Sequence, residues 1–366
     1  MSIKPKKATI STHICRFFSM KHLALSFLFL LMSFVHGISQ TGGTTVFPFI
    51  DFNYDARSGA LGRHFITAYD NDVNLGVNNP ALWNEEMHRS IGFNQSLHAA
   101  GINHGKVSYA QHFGEAGTGA VHMRYVAYGR MDRTNENGDV IGTFSAGDFM
   151  LGAGFGRRVN PNLSVGANLN LIWSHLEAFN SVGFSVDMGG IYLADDERTQ
   201  VTALVRNAGA QFSSYFPDQE RQPLPVNPML GIAHKLEHAP FRFSIVAHSL
   251  NRWDLTYLDP NAQPTTDPLT GELIPVESVG FGEKLARHFI YQLEVLGGDL
   301  MRIRLAFDYQ RRRELLVPNR PGMAGFSTGV GFNFHRFSID YGLVIFSSAG
   351  FSNLLTFRTN FDNWKS

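Results

Sequence analysis

The chain is poor in charge. Asp, Glu, Lys and Arg make up 17% of its 366 residues, against roughly a quarter in soluble domains. The 31 basic and 31 acidic residues cancel, which excludes the strongly basic surface that a nucleic-acid binder needs. One cysteine, Cys15, is present, so a disulfide framework is excluded. No apolar run reaches the roughly 20 residues of a spanning helix. Mean hydropathy is −0.10, and together these exclude a helical membrane protein. Glycine (36) and phenylalanine (31) are plentiful instead, a composition that suits a β-rich protein with many turns.

The first 39 residues read as a secretory signal, with Met20 as a candidate true start. Lys21 gives a positive beginning, 23–35 is apolar, and Gly37 and Ser39 are small residues before a cut ahead of Gln40. Cys15 lies upstream of that cut, so the mature chain is expected to have no thiol chemistry and no lipid-anchored cysteine.

From His88 onward the sequence alternates. The stretch Met301–Tyr309 sets Ile303, Leu305, Phe307 and Tyr309 on one side and Arg302, Arg304 and Asp308 on the other, as a strand does. The pattern returns near 88–98, 104–113, 118–128, 146–157, 163–175, 182–193, 199–208, 226–236, 241–250, 286–296, 300–311, 324–334, 336–346 and 353–364. That gives about 14 strands of roughly ten residues, long enough to cross a bilayer with tilt. Tight connections at 114–117, 195–197, 237–240, 297–299 and His335 mostly alternate with longer ones at 129–145, 209–225, 251–285 and 312–323. A soluble sandwich would carry far more charge on its outer face, and an open spanning sheet would leave backbone groups unpaired in lipid. The expected fold is therefore all-β: a transmembrane antiparallel β-barrel of about 14 strands, residues 88–366, in an outer membrane with both termini periplasmic. Tyr109, Tyr125, Tyr128, Trp173, Tyr192 and Trp364 are read as interfacial girdle residues. Gly152, Gly154 and Gly156, inside one strand, are read as easing barrel curvature.

Residues 40–87 do not alternate and precede every strand. Turn and helix-capping residue types suggest short helices and turns.

No catalytic constellation is found. The sequence contains no G-x-S-x-G and no phosphate-binding loop. His234-Lys-Leu-Glu237-His238 matches a zinc-binding spacing, but that spacing works on a helix, and here it ends a strand. The chain is read as a non-enzyme with no cofactor and no metal. Arg311, Arg312, Arg313 and Arg320 cluster at one barrel end, as a solvated rim meeting lipid head groups or as a partner-docking site. The longest loop, 251–285, is a second docking candidate.

Two resemblances bear on these readings. Ala60-Leu61-Gly62, then Asp70 and Asp72, then Asn78-Asn79-Pro80-Ala81 resemble the hatch of the fatty-acid-transporter type of outer-membrane barrel. Across the mature chain, several stretches together resemble the PorQ group of type IX secretion proteins of Bacteroidetes. They are Thr41-Gly-Gly43, Asn71-Asp-Val73, Asn78-Asn-Pro-Ala-Leu82, Gly142-Thr-Phe-Ser-Ala146, His238-Ala-Pro-Phe-Arg-Phe243 and Trp253-Asp254-Leu-Thr-Tyr257. The second resemblance implies a scaffold that holds a PorZ-like surface protein near the PorU–PorV sortase complex, among outer-membrane lipids and lipopolysaccharide. It makes Trp253, Asp254, Arg312, Arg313 and Arg320 candidate docking residues. The first implies that residues 40–87 form a luminal hatch, and it implies the alternative function, a channel for a hydrophobic small molecule.

Overall fold

The computed structural model describes residues 45–97, 101–256, 264–266, 271, 273–274, 279–298, 300–316, 322–347 and 350–364. The signal sequence lies outside them.

Fourteen strands close into one antiparallel barrel. In chain order they are β1 (Ser90–Leu97), β2 (Asn103–His112), β3 (Thr118–Thr134), β4 (Val140–Asn160), β5 (Leu163–Leu176), β6 (Phe179–Leu193), β7 (Thr199–Ser213), β8 (Asn227–Lys235) and β9 (Phe241–Ala247). A separate hairpin, β10 (Thr265–Thr266) and β11 (Leu273–Ile274), interrupts the series. The barrel continues with β12 (Phe289–Gly297), β13 (Met301–Asp308), β14 (Phe326–Asn333), β15 (Phe337–Ser347) and β16 (Gly350–Asn360). β16 pairs back onto β1, with Ser90 opposite Asn360, and leaves no free edge. No described helix is long and apolar enough to cross a membrane.

Alternation assigns the two faces. Ile303 and Leu305 are exposed on the outside of β13, while Arg304 and Ala306 are buried inside it. Within the barrel most strands keep this alternation, so the outer coat is apolar and a polar face lines the lumen. The expected elements are found, with corrections at their ends. Tyr309 leaves β13 and starts a helix, Tyr309–Leu315, because the Asp308 carboxylate accepts from the Arg311 N–H at 3.0 Å and caps it. The sequence predicts a long connection over 129–145. Instead β3 and β4, 17 and 21 residues long, continue beyond the barrel as a two-stranded ribbon from Arg130 opposite Ser145 to Thr134 opposite Val140. Tyr128 is not a girdle residue, since its hydroxyl donates inward to Asp148 at 2.6 Å.

The connections after β2, β4, β6, β8, β12 and β14, all short, lie at one end of the barrel, together with the start of β1 and the end of β16. The longer connections lie at the other. Residues 45–89 run through the lumen between them. Val46 bonds the carbonyl of Pro223 at the long-loop end, and Glu85–Met87 sits beside the short turns. The first described residues therefore lie at the end opposite to the end of β16, while the chain ends, on which the expectation of two periplasmic termini falls, lie outside the described residues.

Candidate functional site

The hatch is built from pieces too short to be stable alone. All but the first, the 3₁₀ turn Pro48–Asp51, begin on a side-chain cap. Asp55 accepts from Ser58 N–H at 2.8 Å and opens the helix Ala56–Ala60. Asp72 accepts from Asn74 N–H at 3.1 Å and opens Val73–Asn78. Asn79 and Asn84 cap the 3₁₀ turns Pro80–Leu82 and Glu85–Met87. This succession of Asp and Asn caps is what the capping-type composition foretold.

The barrel wall completes these pieces. The Gln292 amide donates to the carbonyls of Leu61 and His64, at 2.7 and 2.9 Å. Trp83 donates to Asn168 at 3.0 Å, and Arg124 donates to the carbonyls of Ile50 and Val77. Glycines on the inner face leave room for particular hatch atoms. A Cβ at Gly156 would lie 2.6 Å from the Trp83 Cβ and 2.7 Å from the Pro80 carbonyl oxygen. Gly154 meets Trp83, and Gly152 meets His122 and Asn170. The reading of Gly154 and Gly156 as curvature residues is thus corrected: close approach of the hatch requires them. Gly62 has φ +79, a backbone favouring glycine, and turns the chain against Ile290 and Ala306.

At the centre lies a buried ionic cluster. Arg57 donates to Glu294 (3.0 and 3.1 Å), to Asp70 (3.0 and 2.7 Å) and to Asp72 (3.3 Å). Arg242 and Arg304 also reach Glu294, at 2.8 and 3.2 Å. Arg358 bridges Asp72 and Asp340. Burial alone would raise the Asp70 carboxyl, but the Arg57 guanidinium holds it well below the usual carboxylate range. A second pair, Lys106 with Asp55 at 2.9 Å, is wholly buried. There too burial opposes ionisation and the ammonium prevails, leaving Asp55 at about 2.

The hatch divides the lumen. Towards the short turns a polar vestibule of about 780 Å³ is lined by Glu85, Glu86, Arg157, Arg198 and Arg242. Towards the long loops lies a pocket of about 520 Å³ with Phe52, Leu315, Val344, Phe346 and Leu354 in its wall and Arg63 and Arg311 at one side. Both arginines face Asp308 at 3.9 Å, beyond hydrogen-bond reach. Arg63 Nε and Arg311 Nη1 are buried without a protein partner among the described residues. Behind them His64 is buried. Burial and the nearby Arg63 lower its basicity well below that of a free imidazole, so it stays neutral.

The expected hatch residues Leu61, Gly62, Asp70, Asp72, Asn78, Asn79 and Pro80 all lie inside the barrel and join this construction. The expected docking residues Trp253, Asp254, Arg312 and Arg313 meet at the long-loop rim. Lys284 pairs with Asp254 at 2.6 Å, and Arg313 with Glu283 at 2.7 Å. Arg320 lies outside the described residues. Arg311 is buried, not part of a solvated rim. His234 bonds Thr199 on the barrel exterior and Glu237 pairs with Arg198, so they do not converge on a common ligand. Arg57, Glu294, Arg304, Asp340 and Arg358 escaped sequence reasoning. For the four wall residues the one signal is charge at inward positions of the alternating strands β12, β13, β15 and β16; Arg57, on a hatch helix, gives none.

No protein-family profile matches the chain, and no curated protein matches it. Solved structures do. The toluene transporter TodX of Pseudomonas putida superposes with a TM-score of 0.52 at 12% identity, over 84% of this chain and 98% of that one. The toluene transporter TbuX of Ralstonia pickettii gives 0.51 at 12% identity, over 86% and 100%. These likenesses show a shared fold, a closed barrel with the same overall build.

Proposed function

We propose that this protein is an outer-membrane channel for a small hydrophobic or amphipathic molecule, with the hatch as its gate. The pocket at the long-loop end carries the reading. It pairs an apolar wall (Phe52, Leu315, Val344, Phe346, Leu354) with buried guanidinium donors of Arg63 and Arg311 that have no protein partner among the described residues. A polar end in an apolar pocket fixes a ligand's orientation. The barrel wall supports the same reading. β7 pairs with β8 only over Thr199–Arg206 and then runs on to Ser213 beside β6 alone. Its register shifts opposite Asp187, where Asn207 has φ 58. Such a bulge locally disrupts pairing and offers a side exit that avoids the ionic cluster. The fold shared with two toluene transporters is consistent with this use.

The test is uptake by lipid vesicles carrying the refolded protein, with a radiolabelled monoaromatic hydrocarbon and a medium-chain carboxylic acid as probes. Uptake above protein-free vesicles, lost in Val344→Trp, is expected. Uptake of neither probe sinks the proposal.

A second reading, a scaffold for a PorZ-like surface protein beside a PorU–PorV sortase complex, is favoured by one observation. The β3–β4 ribbon projects beyond the barrel with Val140 and Ile141 exposed. Deleting residues 130–144 and measuring retention of the surface protein on cells tests it. Unchanged retention counts against this dock.

A further inference from the structure

The barrel wall is not of one height. On one side β3 to β7 have 14 to 21 residues. On the other side β8, β9, β12, β13 and β14 have 7 to 9. A strand rises about 3.3 Å per residue and tilts about 40°, so the short arc stands only about 18–23 Å high, against an apolar band of about 25 Å. The tall arc exceeds that band.

The outward residues agree. On β5 the apolar face reaches Trp173 and is followed by His175. Trp173 lies ten positions above the start of that strand, close to where the upper interface should fall. Across from it, on β4, Phe149 is the last apolar outward residue before Gly147 and Ser145. β4 and β5 therefore carry a polar stretch directly above their apolar band. The short strands have none. Ile245 and Ala247 end β9, Phe289 opens β12, Phe307 ends the outward row of β13, and Phe326 opens β14. On this side the bilayer's edge falls on the loops themselves.

Those loops present apolar groups at that level. Trp253 and Phe281 pack ring to ring, 5.0 Å between centroids, yet are 49% and 69% exposed. Leu285 is one turn from Phe281 on the helix Phe281–Ala286, and it too is exposed, as are Leu250 and Met323. The charges beside them are paired. Lys284 holds Asp254, and Glu283 accepts from both Arg287 and Arg313. Paired charges lose less on leaving water than single ones. An aromatic-led patch with neutralised charges, at the height where hydrocarbon ends, matches the interfacial layer of a bilayer.

We propose that the long-loop rim above β8 to β14, led by Trp253, Phe281 and Leu285, is immersed in the interfacial layer of the adjoining leaflet. Its occupant is lipid, not a protein partner. The barrel then sits in the membrane with a low lip held by lipid and a tall ribbon standing clear of it. Two residues singled out as docking candidates, Trp253 and Asp254, belong to the lip.

The experiment uses the full chain carrying Cys15→Ser, refolded into phosphatidylcholine vesicles, with a bimane fluorophore on Phe281→Cys or, separately, Leu285→Cys. Ile141→Cys on the ribbon is the reference position. Both rim side chains are exposed, so folding is retained, and heat-modifiable gel migration checks it. Lipids bearing a doxyl group near the head group should remove most of the rim emission while aqueous iodide leaves it nearly intact. Ile141→Cys should behave in the reverse way. Rim emission that iodide quenches as fully as at Ile141→Cys overturns the proposal. So does rim emission that neither quencher reaches, which would mean burial within the protein. Iodide quenching in pure vesicles that disappears only when membrane proteins are added also overturns it, in favour of a protein partner.

Discussion

Replacing Arg57 with methionine should free the hatch while leaving the barrel closed. The side chain is 1% exposed and makes five hydrogen bonds, all to carboxylates. Methionine keeps much of its length and volume, so loss of charge dominates. Arg57, Arg242, Arg304 and Arg358 pair with Asp70, Asp72, Glu294 and Asp340, and Arg302 adds a further positive charge near Asp70 and Glu294. Without Arg57, Asp70 loses both of its hydrogen bonds to a guanidinium and Glu294 two of its four. Breaking a buried ionic arrangement from one side costs about 3–5 kcal/mol, which raises the population of a detached hatch by about two to four powers of ten. The barrel's own strand pairing is untouched. The assay is the rate of trypsin cleavage within residues 45–89 in detergent, with heat-modifiable migration reporting the barrel. Faster hatch cleavage with unchanged migration is expected. The double variant Arg57→Met/Glu294→Gln removes a carboxylate charge left short of donors and should recover part of the protection. Equal cleavage in Arg57→Met and the parent would refute the reasoning, because the cluster would then not hold the hatch.

Gly156→Leu should loosen the hatch, since its Cβ would lie under 3 Å from Trp83 and the Pro80 carbonyl, whereas Gly142→Ala, with nothing within 4 Å, should not. Trypsin protection and Trp83 fluorescence compare the two. Hatch protection should be level above about pH 5 and decline below pH 4. The Asp55 carboxyl is depressed from 3.8 to about 2 in the folded chain, so its contribution is full above the ordinary value and lost as pH falls through the folded one. Asp55→Asn should flatten that part of the profile. Asn79→Ala should cost about 1 kcal/mol of hatch stability through loss of the cap on Pro80–Leu82, seen as a modest rise in the same cleavage rate.

The barrel was legible because alternation is local. Ile303, Leu305 and Phe307 declare their strand without any knowledge of its neighbours. Strand ends were less so. Tyr309 continues the outward row in sequence, yet Asp308 caps a helix there, and a cap competes with alternation only once the backbone turns. The β3–β4 ribbon was missed because residues 129–145, having left both lipid and lumen, need no two-faced pattern. Within the hatch, Asp72 and Asn79 could be recognised as capping types. Their partners could not, since Arg57 and Glu294 lie 237 positions apart and nothing in either neighbourhood names the other. The glycines of β4 were noticed for a wrong reason. A glycine inside a strand signals close approach or curvature alike, and only the position of Trp83 decides.

The hatch's attachment limits how anything passes it. Its backbone carbonyls are bonded to wall side chains at Leu61, His64, Ile66 and Ala81, and its bulk fills recesses left by wall glycines. Removing it as a body would break these bonds, open the ionic cluster and empty the recesses together. A ligand entering from the long-loop pocket gains nothing comparable, for that pocket offers one apolar wall and two arginines. A passage that keeps the hatch seated is therefore energetically preferred to one that expels it. The stretch of β7 beyond Arg206, paired with β6 alone, begins beside the hatch's first segment, for Arg206 bonds the carbonyl of Ile50. Local movement of residues 46–53 would connect the lumen to that stretch while Arg57 stays bonded. On this argument a disulfide that ties residue 50 to residue 206 should block uptake, and one that ties residue 59 to residue 354 should not. Uptake lost equally in both would mean that the whole hatch has to move.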